Sequence, residues 1–150
     1  MFDKSKVGTS FPPFKIEVER CKIHEFNLAI GDPNPIYHSR EAALAAEYRD
    51  VPLSPTAATI FNFWGNTQAA EQFASVGINV KRILHGDEEY EYQAPIYPGD
   101  VLTGVMRIVE GKHRQMKDGS SLDVLTTEIQ YTNQQEQPVL KARTTIAVRE

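Results

Sequence analysis

The hydrophobic positions of this chain change their period partway along it. In the first half they recur at helical spacing, and from Lys81 onward they alternate with polar ones. After the Pro12-Pro13 breaker, Phe14 to Val18 reads as a short strand. Ile23, Phe26 and Ile30 then mark one helix face, and Gly31 falls at the C′ position, where a left-handed backbone costs least. Asp32-Pro33-Asn34-Pro35 cannot extend that helix, because each proline lacks an N–H and restricts the residue before it. A rigid loop is expected there. A short helix from Arg40 to about Tyr48, capped by Ser39, should follow it.

Ser54-Pro55 opens the next helix, with a capping serine and a proline at the first helical position. Ala57, Ala58, Ile60, Phe61, Phe63 and Trp64 point in almost every direction around the helical period. A helix apolar all round must be enclosed. Residues 54–65 are therefore predicted to form one helix with little exposure, Trp64 included. A polar helix from about Thr67 to Ser75 should end near Gly77.

In the second half, Glu89 and Glu91 alternate with Tyr90 and Tyr92, whose rings could face solvent or a partner. Leu102, Met106 and Ile108 lie opposite Val101, Val105 and Val109. Leu125, Ile129 and Tyr131 share a face, as do Leu140, Ile146 and Val148. Turn residues break the strands at Pro98-Gly99-Asp100, at Lys117-Asp118-Gly119 and across 133–138. No helical crossover fits between these strands, so they should pair as antiparallel neighbours. The fold class expected is α+β: a hot-dog fold, with a curved antiparallel sheet wrapped around one buried central helix.

Composition narrows the picture modestly. At 150 residues, with 41% hydrophobic and 24% charged, the chain suits one globular domain spanning 1–150. A formal net charge of −4 supplies no basic field for nucleic acid. Cys21, the single cysteine, excludes an internal disulfide and a thiolate metal cluster. His24 and His113 form no ligand spacing, so neither a metal nor a cofactor is expected. Without an apolar run for a signal peptide or a membrane span, a cytoplasmic location is the default expectation.

Three motifs in order carry a family resemblance. The stretch from Phe26 to Ser39, with Gly31-Asp32-Pro33-Asn34-Pro35 at its centre, resembles the hydratase loop of MaoC-like dehydratases. Leu84 to Tyr92, followed by Pro95 to Asp100, resembles the N-terminal, FAS1-like type of that dehydratase domain. That type occurs in double hot-dog hydratases and in the smaller subunits of two-subunit fatty-acyl dehydratases. The resemblance implies an acyl-CoA or acyl-ACP thioester as substrate, hydratase or dehydratase chemistry, and a homodimer or a heterodimer with a catalytic MaoC-like subunit.

Hydrating a 2-enoyl thioester needs a base for water, an acid for the α-carbon and donors for the enolate oxygen. Asp32 and His38 are the catalytic candidates, as a carboxylate and an imidazole on one rigid loop. Asn34, Tyr37, Ser54, Thr56, Ala57, His85 and Gly86 are the candidates for substrate binding. Plainer readings stand beside these. Asp32 and Asn34 are common turn formers, Tyr37 is a half-buried ring, His38 is a surface residue, and His85-Gly86 marks a strand irregularity.

Two departures from the family pattern weigh against self-sufficient catalysis. Tyr37 stands where the loop histidine belongs, with His38 one residue further on. Ser54-Pro55 replaces the His-Gly that opens the central helix, and Pro55 has no N–H, which leaves Thr56 or Ala57 as oxyanion donors. The reading preferred is a substrate-binding, weakly catalytic subunit. The alternatives are a homodimeric hydratase using Asp32 and His38, and an acyl-thioester or lipid binding module. A hot-dog thioesterase is weaker, because the Asp-x-Asn-Pro loop belongs to the hydratases.

Overall fold

The computed structural model describes residues 2–149, apart from the Phe63 side chain. Its elements in chain order are β1 (Phe14–Glu17), α1 (Arg20–Ile30), α2 (Arg40–Ala45), a π-helical turn (Phe61–Gly65), α3 (Ala69–Ser75), β2 (Ile83–Tyr92), β3 (Val101–Gln115), β4 (Ser121–Thr132) and β5 (Pro138–Arg149). The five strands form one antiparallel sheet in the order β1-β3-β4-β5-β2. It is the hot-dog form of the α+β class, as the periodicity predicts.

Strand alternation places the core. Leu102, Met106 and Ile108 of β3, Leu125, Ile129 and Tyr131 of β4, and Leu140 and Ile146 of β5 are all buried. They form one cluster with Ala57, Ala58 and Phe61 of the central segment. Chain neighbours pair along β3-β4-β5, but β2 departs from the expected order and pairs with β5. The edge of β3 away from β4 is occupied by β1, through Phe14↔Gly104 to Glu17↔Val101. The link from β2 to β3 crosses the molecule instead. Ile96 C=O accepts from Leu53 N–H at 2.8 Å, and Asp100 C=O accepts from Val18 N–H at 2.9 Å.

The central segment differs most from its prediction. Residues 55–58 turn, Thr59 and Ile60 are α-helical, and Phe61–Gly65 widens into a π-turn. Ala57, Ala58 and Phe61 are buried, but Trp64 is 79% exposed rather than core. The inward position expected at Phe63 lies outside the described residues. Asn62 accounts for the rotation. Its amide nitrogen donates to Glu88 Oε1, and its oxygen accepts from the Tyr131 hydroxyl at 3.1 Å, so a polar side chain holds the inward direction. A π-turn admits one extra residue into a helical turn. Gly65 meets β1 so closely that an added Cβ would lie 1.9 Å from Ile16 Cδ1.

The remaining elements follow local rules. α1 buries Ile23 and half-buries Phe26, but Ile30 is exposed and Asn27, one turn after Ile23, takes the inner position. Gly31 ends α1 with φ 68°. The Ser39 hydroxyl accepts from Ala42 N–H at the start of α2, which ends at Ala45, three residues short of the expected Tyr48. Tyr90 and Tyr92 pack against the core rather than facing out.

Gly104 offers a test of packing. A Cβ there would lie 2.5 Å from Phe14 Cζ and 2.8 Å from Cε1 of the fully buried Tyr131. Overpacking at such a place costs about 1–3 kcal/mol. Gly104→Ala should therefore lower the unfolding free energy by that amount, read as a lower denaturant midpoint with the m-value unchanged.

Candidate functional site

The loop after α1 folds on its own side chains. Asp32 Oδ1 accepts from Asn34 N–H at 2.9 Å, and Asn34 Oδ1 accepts from Ile36 N–H at 3.2 Å, two successive Asx turns between prolines. The plainer reading of Asp32 and Asn34 is thus present in the structure. His38 closes the loop from the other end, its Nε2–H donating to the Asp32 carbonyl at 2.6 Å. Its ring also meets His24 edge-on at 5.5 Å, a contact that sequence spacing did not signal.

Tyr37 is half-buried. Burial, with the Asp32 carboxylate and Tyr48 adding to it, holds its hydroxyl above the ordinary phenol pKa. Burial raises Tyr92 further, Tyr37 again contributing, so both phenols stay neutral at working pH. The Tyr92 hydroxyl donates to the Pro55 carbonyl at 3.0 Å. The head of the central segment and the loop therefore meet around Tyr37 and Tyr92. Tyr92 was not among the sequence candidates, because Glu/Tyr alternation along β2 left open whether its ring faces solvent or a partner.

At that head, Ser54 departs from its expected capping role. Its hydroxyl is buried and makes no hydrogen bond, while its carbonyl accepts from Ala57 N–H at 3.0 Å. A buried hydroxyl without a hydrogen-bond partner is uncommon. Ala57 N–H is already engaged, which leaves Thr56 as the backbone donor of the predicted pair. Pro55 and Thr56 are exposed.

His85 and Gly86 stand apart from this group. They lie at the far end of β2, seven residues before Tyr92 in the case of His85, a separation of roughly 20 Å along a strand. The register shifts between His85 and Asp87, as a strand irregularity predicts. A Cβ on Gly86 would fall 2.8 Å from the Thr145 carbonyl oxygen.

Two grooves border α1. One, about 700 Å³, is lined by Arg20, His24, Tyr37, His38 and Arg40. The other, about 610 Å³ and mostly apolar, runs between α1 and the π-turn past Ile16, Phe26, Ile60, Phe61 and Trp64. Arg20 fixes the base of the first by a two-pronged ion pair to Asp50, at 2.8 and 2.6 Å. That pairing holds the Asp50 carboxyl down at about 2.

The chain matches the FAS1-like, dehydratase domain region over residues 5–142. It is 34% identical over 148 residues to a UPF0336 protein of Saccharopolyspora erythraea, covering 98% of this chain and 91% of that one. Among solved structures it is similar to C-terminally truncated HadBC, a (3R)-hydroxyacyl-ACP dehydratase complex of Mycobacterium tuberculosis. The TM-score is 0.79 at 24% identity, over 95% of this chain and 96% of that one. The ChsH1-ChsH2 complex of the same organism aligns with TM-score 0.64 at 18% identity, over 95% of this chain and 98% of that one. At these identities the two structures establish the fold.

The Arg20–Asp50 pair predicts a pH dependence. A carboxyl depressed on folding stabilises fully above its unfolded pKa of about 3.9, and that stability is lost as the pH falls through the folded value of about 2. Thermal melts of the wild type and Asp50→Asn should differ at pH 5 and converge towards pH 2.

Proposed function

The chain belongs to the FAS1-like dehydratase domain family, and on that premise we propose that it is the substrate-holding subunit of a two-subunit hydratase. The enzyme would interconvert 3-hydroxyacyl and 2-enoyl thioesters of CoA or acyl carrier protein. The observation that carries this reading is the setting of His38. The loop's one imidazole donates to the main chain of Asp32 instead of facing its carboxylate, and Tyr37, a neutral phenol, occupies the approach to that carboxylate. A water held between Asp32 and Tyr37 has a weak base and no matched acid. Binding is better provided for. The Ser54 hydroxyl and Thr56 N–H stand ready for a thioester oxygen, and the apolar groove past Phe26, Ile60 and Phe61 suits an acyl chain. HadBC and ChsH1-ChsH2, each a complex of two different chains, support a heterodimeric setting.

The isolated chain should hydrate crotonyl-CoA slowly, and Asp32→Asn should abolish what activity there is, with Tyr37→Phe nearly silent. Tyr37→His should raise the rate, since a positioned acid–base group contributes about 10²–10⁴-fold. A wild type already fast on its own would overturn the assignment of a holding role.

The sheet edges suggest how the subunits join. β1 offers four residues at one edge and β2 ten at the other. A long unpaired edge is a template for another strand, so β2 is the expected seam of a sheet shared by two subunits. Sedimentation at micromolar concentration should show a dimer, with itself or with a catalytic partner. A monomer in the presence of that partner would contradict it.

A further inference from the structure

The free edge of β2 carries charges that bear on what can pair with it. β2 is the last strand of the sheet and meets β5 on one side only. Tyr90 and Tyr92 pack against the core, so by alternation Asp87, Glu89 and Glu91 lie on the outer face of the sheet. They stand opposite Thr145, Arg143 and Lys141 of β5, and all three acids are exposed. β5 neutralises one of them. Lys141 Nζ donates to Glu91 Oε2 at 3.2 Å. Arg143 faces Glu89 in the ladder, yet its Nε donates to Glu128 on β4 at 2.8 Å. Among the described residues, Asp87 and Glu89 make no ion pair. The row Glu128, Arg143, Glu89 alternates in sign across three strands. A further strand would continue it with a positive side chain.

Register makes the choice sharper. Residues directly opposite in an antiparallel pair share a face, so a second copy of β2 must set outward residues against outward residues. With a two-fold axis at Glu89, that residue meets its own copy, and Asp87 meets Glu91. A shift by one step brings Asp87 against Glu89, or Glu89 against Glu91. A further shift either way sets Asp87 or Glu91 against itself. Every register that overlaps 87–91 with its copy therefore places acid against acid, and like charges directly opposite are destabilising.

Taking β2 as the seam between subunits, we propose that Asp87, Glu89 and Glu91 set its specificity. They exclude a second copy of this chain and admit a partner whose edge strand presents lysine or arginine on its outer face. The unpaired main chain of β2 supplies the hydrogen bonds, which any strand could satisfy. The three acids then decide which strand it is, by repulsion as much as by attraction.

A charge-reversed copy of the full chain can stand in for a partner with a basic edge. It carries Asp87→Lys, Glu89→Lys and Glu91→Lys together, and a neutral variant carries Asp87→Asn, Glu89→Gln and Glu91→Gln. All three positions are exposed, and thermal melts verify that both variants fold. Sedimentation at micromolar concentration is run in about 0.01 M salt, where the Debye length is about 30 Å. The wild type and the reversed variant should each be monomeric alone. Their mixture should form a heterodimer about 10-fold or more tighter than either self-association, from several facing pairs turned from repulsive to attractive. Added salt should loosen that heterodimer, and hydrogen exchange should slow at the β2 amides within it. Wild-type self-association as strong as that of the mixture overturns the charge selection. So does a mixture that fails to associate. In that case dimers of the neutral variant leave the β2 seam standing, whereas monomers throughout remove the seam as well. Slowed exchange away from β2 likewise overturns both.

Discussion

A backbone segment enclosed by a sheet must find partners for its polar groups inside the protein, because water cannot reach them. In this chain that requirement is met at Asn62, whose amide bonds Glu88 on β2 and whose oxygen bonds Tyr131 on β4. Burial keeps the Tyr131 phenol neutral and therefore a donor. The Phe14 and Phe61 rings pack on Tyr131 at 6.0 and 5.8 Å, so this polar contact is set inside an aromatic cluster. Once Asn62 points inward, the turn widens, Trp64 swings to solvent and Gly65 is pressed on Ile16. Much of what is distinctive about the surface follows from that one amide.

The anchor also divides the interior. On its α1 side lies the apolar groove past Phe26, Ile60 and Phe61, and on its α3 side lies a cavity lined by Met106, Ile129 and Ile146. The loop itself is braced by short-range bonds from Asp32, Asn34 and His38, and by the Arg20–Asp50 pair beside it. Such bracing holds the loop's side chains in one orientation.

Periodicity made most of the architecture legible beforehand. The inward faces of β3, β4 and β5 are those that alternation indicates, because in a strand the side chain's direction is set by position alone. Gly31, Ser39 and the irregularity at His85-Gly86 were equally legible, each through a local backbone rule. The loop motif and the two motifs after it located the family for the same reason, since its signature residues lie close together in sequence.

Direction across the fold was not legible in this way. Nothing local tells β2 to pair with β5, because β1, far earlier in the chain, has taken the edge of β3. Nor does Asn62 look different from any polar residue in a helix until Glu88, 26 positions later, is folded against it. The orphaned Ser54 hydroxyl and the Tyr92 bond to Pro55, 37 positions apart, depend on the same long-range packing. The sequence by itself determined the strands β3 to β5, their buried faces and the turns of the Asp32 loop, all properties of neighbours in the chain. Only the tertiary structure decided which polar groups meet, because hydrogen-bond partners are chosen by distance in space and enclosed groups accept whichever partner the fold brings within reach.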